Sequence, residues 1–280
     1  LRSGRGFSDH SYIPTLVPNK NGTIAEALIL LEELSGRPMM DYVRPAAEVI
    51  LANQILEPGP RQGATVHTGT GKHALAIGIY TARCMGSLLR LARHTGEKRY
   101  RRAAVLGARF LSGLVTPHGT RFGYYHDGRP IGCPEWSSPS GDVLRALLSL
   151  AQDLPEAGQA AGMLLGTLLG AQLPTGGFAT AHGFAARGST NHWRGAPEFR
   201  DVLPVVGWCD KVLRALAPLA STGAAPAGDD LRPADLDCTW RGRDCIYHED
   251  ERRLELREKS GGRTLYRWRK GSGTPDIYAL

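Results

Sequence analysis

The chain has 280 residues, 42% apolar and 22% charged, a balance that supports one or two cored domains and excludes wholesale disorder. No stretch approaches the ~18 uncharged apolar residues of a membrane-spanning helix. The net charge is +7, and all of it lies before Asp229, because the remainder holds 11 basic and 11 acidic residues; an anionic partner is expected for the basic part.

Residues 1–22 are rich in Gly, Ser, Pro and Asn and read as irregular. Position 1 is Leu and no basic-then-apolar leader precedes the first helix, so the chain reads as processed or as a portion of something longer. A processed product would favour the periplasm or the extracellular space. Asn21-Gly22-Thr23 is a glycosylation sequon. Thr23 with Glu26 three residues on makes a capping box that predicts a helix over 23–34, stopped by Gly36. A second helix is predicted over 39–56, ending at Pro58-Gly59-Pro60. The third, over 73–94, is apolar on most sides and reads as buried all round, and Gly96 closes it before a fourth over 98–114. Helices over 140–152, 155–172 and 208–219 follow the same pattern. Residues 222–236 have linker composition. Beyond them, 237–280 alternates as a small antiparallel sheet of about three strands, with Trp240, Leu265 and Trp268 as its apolar contacts. A two-residue turn at Arg241-Gly242 sets Cys238 opposite Cys245, where a disulfide is geometrically allowed. Cys84 and Cys209 sit inside helical patterns and read as small core residues.

The helices come as a repeat. Pro58, Pro117 and Pro174 mark loops that follow alternate helices, 59 and 57 residues apart, and the breakers Gly36 and Gly96 are 60 apart. A period near 58 holding two helices describes repeated helical hairpins, with buried and amphipathic helices alternating as inner and outer layers. The strings Tyr80-Thr81-Ala82-Arg83, Thr95-Gly96-Glu97-Lys98-Arg99-Tyr100 and Gln172-Leu173-Pro174-Thr175-Gly176-Gly177-Phe178 resemble those of the (α/α) toroid proteins. These include six-hairpin glycosidases, toroid polysaccharide lyases and terpenoid cyclases. The last string is similar to a cyclase repeat, but the acidic cyclase motifs DxDD and DxxDD are absent. The resemblance covers 23–221 and implies a mainly α chain: an (α/α) toroid or partial toroid with a small C-terminal antiparallel β-segment. Only three and a half hairpins are visible, so a homo-oligomer or larger assembly that completes the ring is a further expectation.

Polar and aromatic residues gather in three loops, 63–73, 122–142 and 178–210, which are long for so economical a helical chain. Two chemistries fit them. Hydrolysis of a glycosidic bond needs two carboxyl groups; Glu135 beside Trp136 is the candidate acid, because an apolar neighbour raises a carboxyl pKa, with Asp127, Asp201 or Asp210 as partner. β-Elimination from a uronate needs a carboxylate neutraliser, a base and an acid. Asn191, His192 and Tyr125 are of those types, and the resemblance implies that toroid lyases use Asn, His, Tyr and Arg in these roles. Trp136 and Trp193 are candidates for stacking on sugar rings, with Tyr124, His126, Arg187 and Arg194 as further substrate contacts. The expected activity is cleavage of an acidic glycan, elimination ahead of hydrolysis; the rival is a non-catalytic glycan-binding or assembly module. No cofactor and no metal are expected, since HExxH, GxSxG and GxGxxG are absent and His67 and His73 are six apart rather than four. The phosphate-loop-like Gly69-Thr70-Gly71-Lys72-His73 lacks its first Gly and its Ser/Thr. No basic run is interleaved with stacking aromatics before the C-terminal hairpin, so nucleic acid is not expected.

Overall fold

Seven α-helices and ten strands are present among the residues that the computed structural model describes, which are 6–8, 16–67, 74–183, 202–220, 234–269 and 276–277. The chain divides into two units, Leu1–Gly132 with Asp142–Leu165 and Cys133–Gly141 with Gly166–Leu280. Of the linker expected at 222–236, residues 222–233 lie outside the described residues and 234–236 are strand, and the phosphate-loop-like 69–73 also lies outside them.

The first unit is built of helical hairpins. α1 (Pro18–Ser35) turns through 36–39 into α2 (Met40–Ala52), and α3 (Gly78–Thr95) turns through 96–97 into α4 (Lys98–Ser112). α5 (Gly141–Leu148) leads into α6 (Pro155–Gly170) by another short turn. α1 packs on α3 as well as on α2, and α5 reaches both through the ion pairs Arg145–Glu26 and Asp142–Arg83. Gly36 and Gly96 end α1 and α3 in the left-handed conformation, φ 66° and 72°, which a Cβ would strain. Ile29, Ile50, Met85, Leu88, Leu91, Leu111, Leu144 and Leu147 are fully buried and form the core. Three short strands, β1 (Ala76–Ile77), β2 (Val115–Thr116) and β3 (Gly119–Tyr124), pair antiparallel beyond the helix ends, β3 in the middle.

α1 begins more than a turn earlier than its cap pattern predicts. Pro18 occupies the first turn, where its missing N–H costs nothing. Thr23 is inside the helix, its hydroxyl donating to the Asn19 carbonyl, and Glu26 forms an ion pair with Arg145 instead of closing a capping box. The Asn21 sequon is also spent: the side chain is fully buried, accepts from the Phe7 N–H at 2.7 Å and donates to the Phe7 and Val17 carbonyls.

In the second unit, α7 (Val206–Ala220) packs on a single 3-10 turn, Ser138–Ser140, and the second half of β4 (Pro130–Trp136) pairs with β5 (Ala181–His182). The C-terminal sheet is a meander of β6 (Ala234–Trp240), β7 (Arg243–Glu249), β8 (Arg253–Glu258), β9 (Thr264–Arg269) and β10 (Asp276–Ile277). Arg241 and Gly242 are both left-handed, φ 51° and 77°, as a tight two-residue hairpin of this twist requires. Cys238 and Cys245 stand directly opposite in register as free thiols. They join Val202, Tyr247, Leu254, Leu256 and Leu265 in a buried cluster, with Trp240 and Trp268 packed against it.

Candidate active site

Short turns close the hairpins of the first unit at one end, so the long connections after α2 and α4 meet at the other. The first turns of α1 and α3 and the first residues of α5 open at that end. Asn19 and Lys20 come from α1, Tyr80 and Arg83 from α3, Asp142 from α5, and His67 from the connection between α2 and α3. His67 Nδ1 is 3.0 Å from Asn19 Oδ1, and its ring lies 4.2 Å from the Tyr80 ring, centroid to centroid. With Asn19 Oδ1 accepting, Nδ1 carries the proton and Nε2 keeps a free lone pair. Burial, and then the charge of Lys20, lower the His67 pKa below its ordinary value, which favours the neutral ring. Beside it the Arg83 guanidinium sits 5.9 Å from the Tyr80 ring and donates from Nε to Asp142 Oδ2 at 2.6 Å. Asp142 is a buried carboxylate, 4% exposed. Val66, Ala76 and Tyr124 lie side by side in register. One step further along, His67 and Tyr125 therefore stand two strand spacings apart, about 10 Å.

The second unit holds another group. Glu135 faces His182 directly across the β4–β5 pair, and the Trp136 ring lies 6.2 Å from that of Trp208. The Ser137 and Ser138 N–H groups donate to the Thr180 and Ala179 carbonyls, locking this corner.

Of the residues expected from sequence, Tyr124, Tyr125 and His126 stand together at the end of β3. Tyr124 packs near Phe110 and its phenol oxygen accepts from Arg121; Tyr125 is 40% exposed, with the Arg129 guanidinium 5.4 Å from its ring centroid. Glu135 and Trp136 are neighbours on β4. Arg187, Asn191, His192, Trp193, Arg194 and Asp201 lie outside the described residues. Asp127 accepts from the Arg129 backbone and side chain, which hold its pKa below the usual range. Asp210 is likewise held low by its bond to Lys211. Both favour the ionised state over that of a proton donor. Sequence reasoning gave no site role to Asn19, Tyr80, Arg83 or Asp142. The repeat spacing gave no signal for this pair, because Arg83 is the sixth residue of α3 and Asp142 the second of α5. Among the described residues no three His, Cys, Asp or Glu side chains cluster as a metal site.

No family model and no curated protein matches the sequence. Solved structures do. A GH76 alpha-mannanase of Bacteroides thetaiotaomicron superposes with a TM-score of 0.55 at 15% identity, over 77% of this chain and 55% of that one. The fold is an (α/α) toroid. An unsaturated glucuronyl hydrolase specific for heparin gives a TM-score of 0.54 at 13% identity, over 78% of this chain and 62% of the other. A novel alpha-amylase from Clostridium perfringens gives 0.52 at 9% identity, over 82% and 73%. The chain thus spans little more than half the length of the toroid mannanase, and no helix among the described residues is long and apolar enough to cross a membrane.

Proposed function

We propose that this toroid chain is part of a carbohydrate-active enzyme that cleaves an acidic, uronate-containing glycan by β-elimination. The observation that carries the reading is His67, held on Asn19 through Nδ1 and kept neutral by burial and Lys20. Such a ring presents Nε2 as a base. In the proposed step Nε2 takes the proton from C5 of the uronate, and its electron pair forms the C4–C5 double bond as the C4–O bond breaks. A phenol, Tyr125 or Tyr80, protonates the leaving oxygen. Lys20 and Arg83 supply the positive charge that binds the uronate carboxylate and stabilises its enolate form. Asn191, His192, Trp193, Arg194 and Arg187 are a second proposed source of the same residue types.

Hydrolysis is the alternative, and the similarity to three glycoside hydrolases favours it. There the acid is Glu135, opposite His182 and next to Trp136. Glycoside hydrolysis takes the proton for its leaving oxygen from a carboxyl group.

Incubation with acidic and neutral polysaccharides, read for new reducing ends and for the ultraviolet absorbance of an unsaturated uronate, separates the two. Both signals, abolished by His67→Ala, are expected for elimination. Reducing ends alone, abolished by Glu135→Gln, would establish hydrolysis. Silence from folded protein on every substrate would leave the non-catalytic module.

A further inference from the structure

At the short-turn end of the first unit, opposite the His67 group, α1, α3, α4 and α5 enclose a cleft of about 500 Å³. Its floor is Glu26, clamped by Arg145 at 2.8 and 3.3 Å and approached by Arg90 at 3.6 Å. The close fit needs Gly86, because a Cβ there would lie 2.7 Å from the Glu26 carboxylate. The other two carboxylates of the cleft are also matched. Glu97 is held by Arg44 and Arg99 and Asp153 by Arg101. Two cations are left over, Arg93 and Lys98, neither of which has an ion-pair or hydrogen-bond partner among the described residues.

The surplus continues outward. Lys98 and Arg101 also border a shallow groove of about 700 Å³ along α4, lined further by Arg102, Val105, Leu106 and Arg109. Arg102 is unpartnered among the described residues as well, and α4 carries no acidic residue. Lys98 and Arg102 are one turn apart, about 6 Å along the helix axis, with Val105 and Leu106 next to them as apolar floor.

We propose that this cleft and groove form a second binding site, for an anionic polysaccharide chain, separate from the catalytic end. Arg93, Lys98 and Arg102 take successive carboxylate or sulfate groups, and Val105 and Leu106 meet the apolar faces of the sugar rings. Three free cations in sequence suit a polymer better than a single small ion. No aromatic side chain lines either depression, so nothing there stacks on bases, which favours a glycan over a nucleic acid. The choice of glycan rests on the proposed function, whereas the anionic site itself rests on geometry and charge alone.

The test is calorimetric titration of the full chain with heparin, polygalacturonate and a single-stranded oligonucleotide, for the native protein and for Arg93→Gln/Lys98→Gln/Arg102→Gln. The three side chains are exposed, so the variant should fold as the native chain does, checked by circular dichroism. The expected result is glycan affinity weakened about tenfold or more, with a log–log salt dependence shallower by roughly two to three. Activity on short oligosaccharides should be unchanged. Equal glycan binding by variant and native chain would overturn the site, and tighter binding of the oligonucleotide would overturn its assignment to a glycan. His67→Ala keeps this binding if the inference holds, even where no cleavage is ever found, so the two proposals fail separately.

Discussion

His67 acts as a base only while it is neutral, and Lys20 is one of the two causes that keep it so. On the proposed reaction, activity falls as pH drops through the lowered His67 pKa. Lys20→Met removes a charge that disfavours the imidazolium, so the acid limb of the kcat/KM profile should move to higher pH. A profile that does not move would sink the role of His67. Elsewhere single atoms decide the packing. At Gly63, φ 87°, a Cβ would sit 2.0 Å from the Leu106 carbonyl of α4. Gly63→Ala should therefore cost about 2–3 kcal/mol in urea unfolding, as backbone rather than a flexible side chain must yield. Neither residue stands out in the sequence. His67 is visible there only as one of several polar residues in a long loop, and Gly63 as one glycine among 35. What singles them out is an approach from segments distant in sequence.

At the scale of elements the periodicity was more informative. α1 and α3 have the same length, 18 residues, and are offset by 60, and the C-caps Gly36 and Gly96 keep that offset. The repeat was legible because the first two hairpins solve the same local problem in the same way, with one left-handed glycine stop each. Caps were less legible, because a capping box competes with Pro18, and the tertiary partner of Glu26 lies 119 residues away on α5. Breaking that pair by Glu26→Ala, which strands Arg145 and leaves Arg90 with Glu33 alone, should cost on the order of 2–4 kcal/mol in chemical denaturation. In the sheet the alternation of β8 places Leu254 and Leu256 inward, yet Glu255 on the other face is 1% exposed. Burial alone would raise its pKa, but Arg267, Thr264 and Arg257 surround the carboxylate and bring it below the usual value. The turn carries a smaller strain. Arg241 is left-handed without being Gly or Asn, so Arg241→Asn should stabilise the sheet by about 0.5–1 kcal/mol, visible as a higher Tm.

For the whole chain the dominant quantity is charge. The excess of +7 before Asp229 should draw an acidic polymer by long-range attraction that salt screens. Initial rates on an acidic polysaccharide are expected to fall about tenfold between ~0.05 and ~0.5 M salt, with little change on short neutral substrates. Equal salt dependence on both would remove charge from the account of binding. The similarity to toroid hydrolases over 77–82% of this chain gives the fold alone.

Hairpin periodicity, helix stops, the β character of the C-terminal segment and the asymmetry of charge were determined by the sequence alone, because each depends on residues within a turn or two of one another, or on composition. The grouping of Asn19, His67, Tyr80, Arg83 and Asp142, the burial of Asn21 and Glu255, and the unpaired cations beside Glu26 were decided only by tertiary structure. Whether a polar side chain is a cap, a partner or a catalyst depends on which distant helix end reaches it. Spacing along the chain specifies a residue's position on its own helix and leaves open what stands opposite.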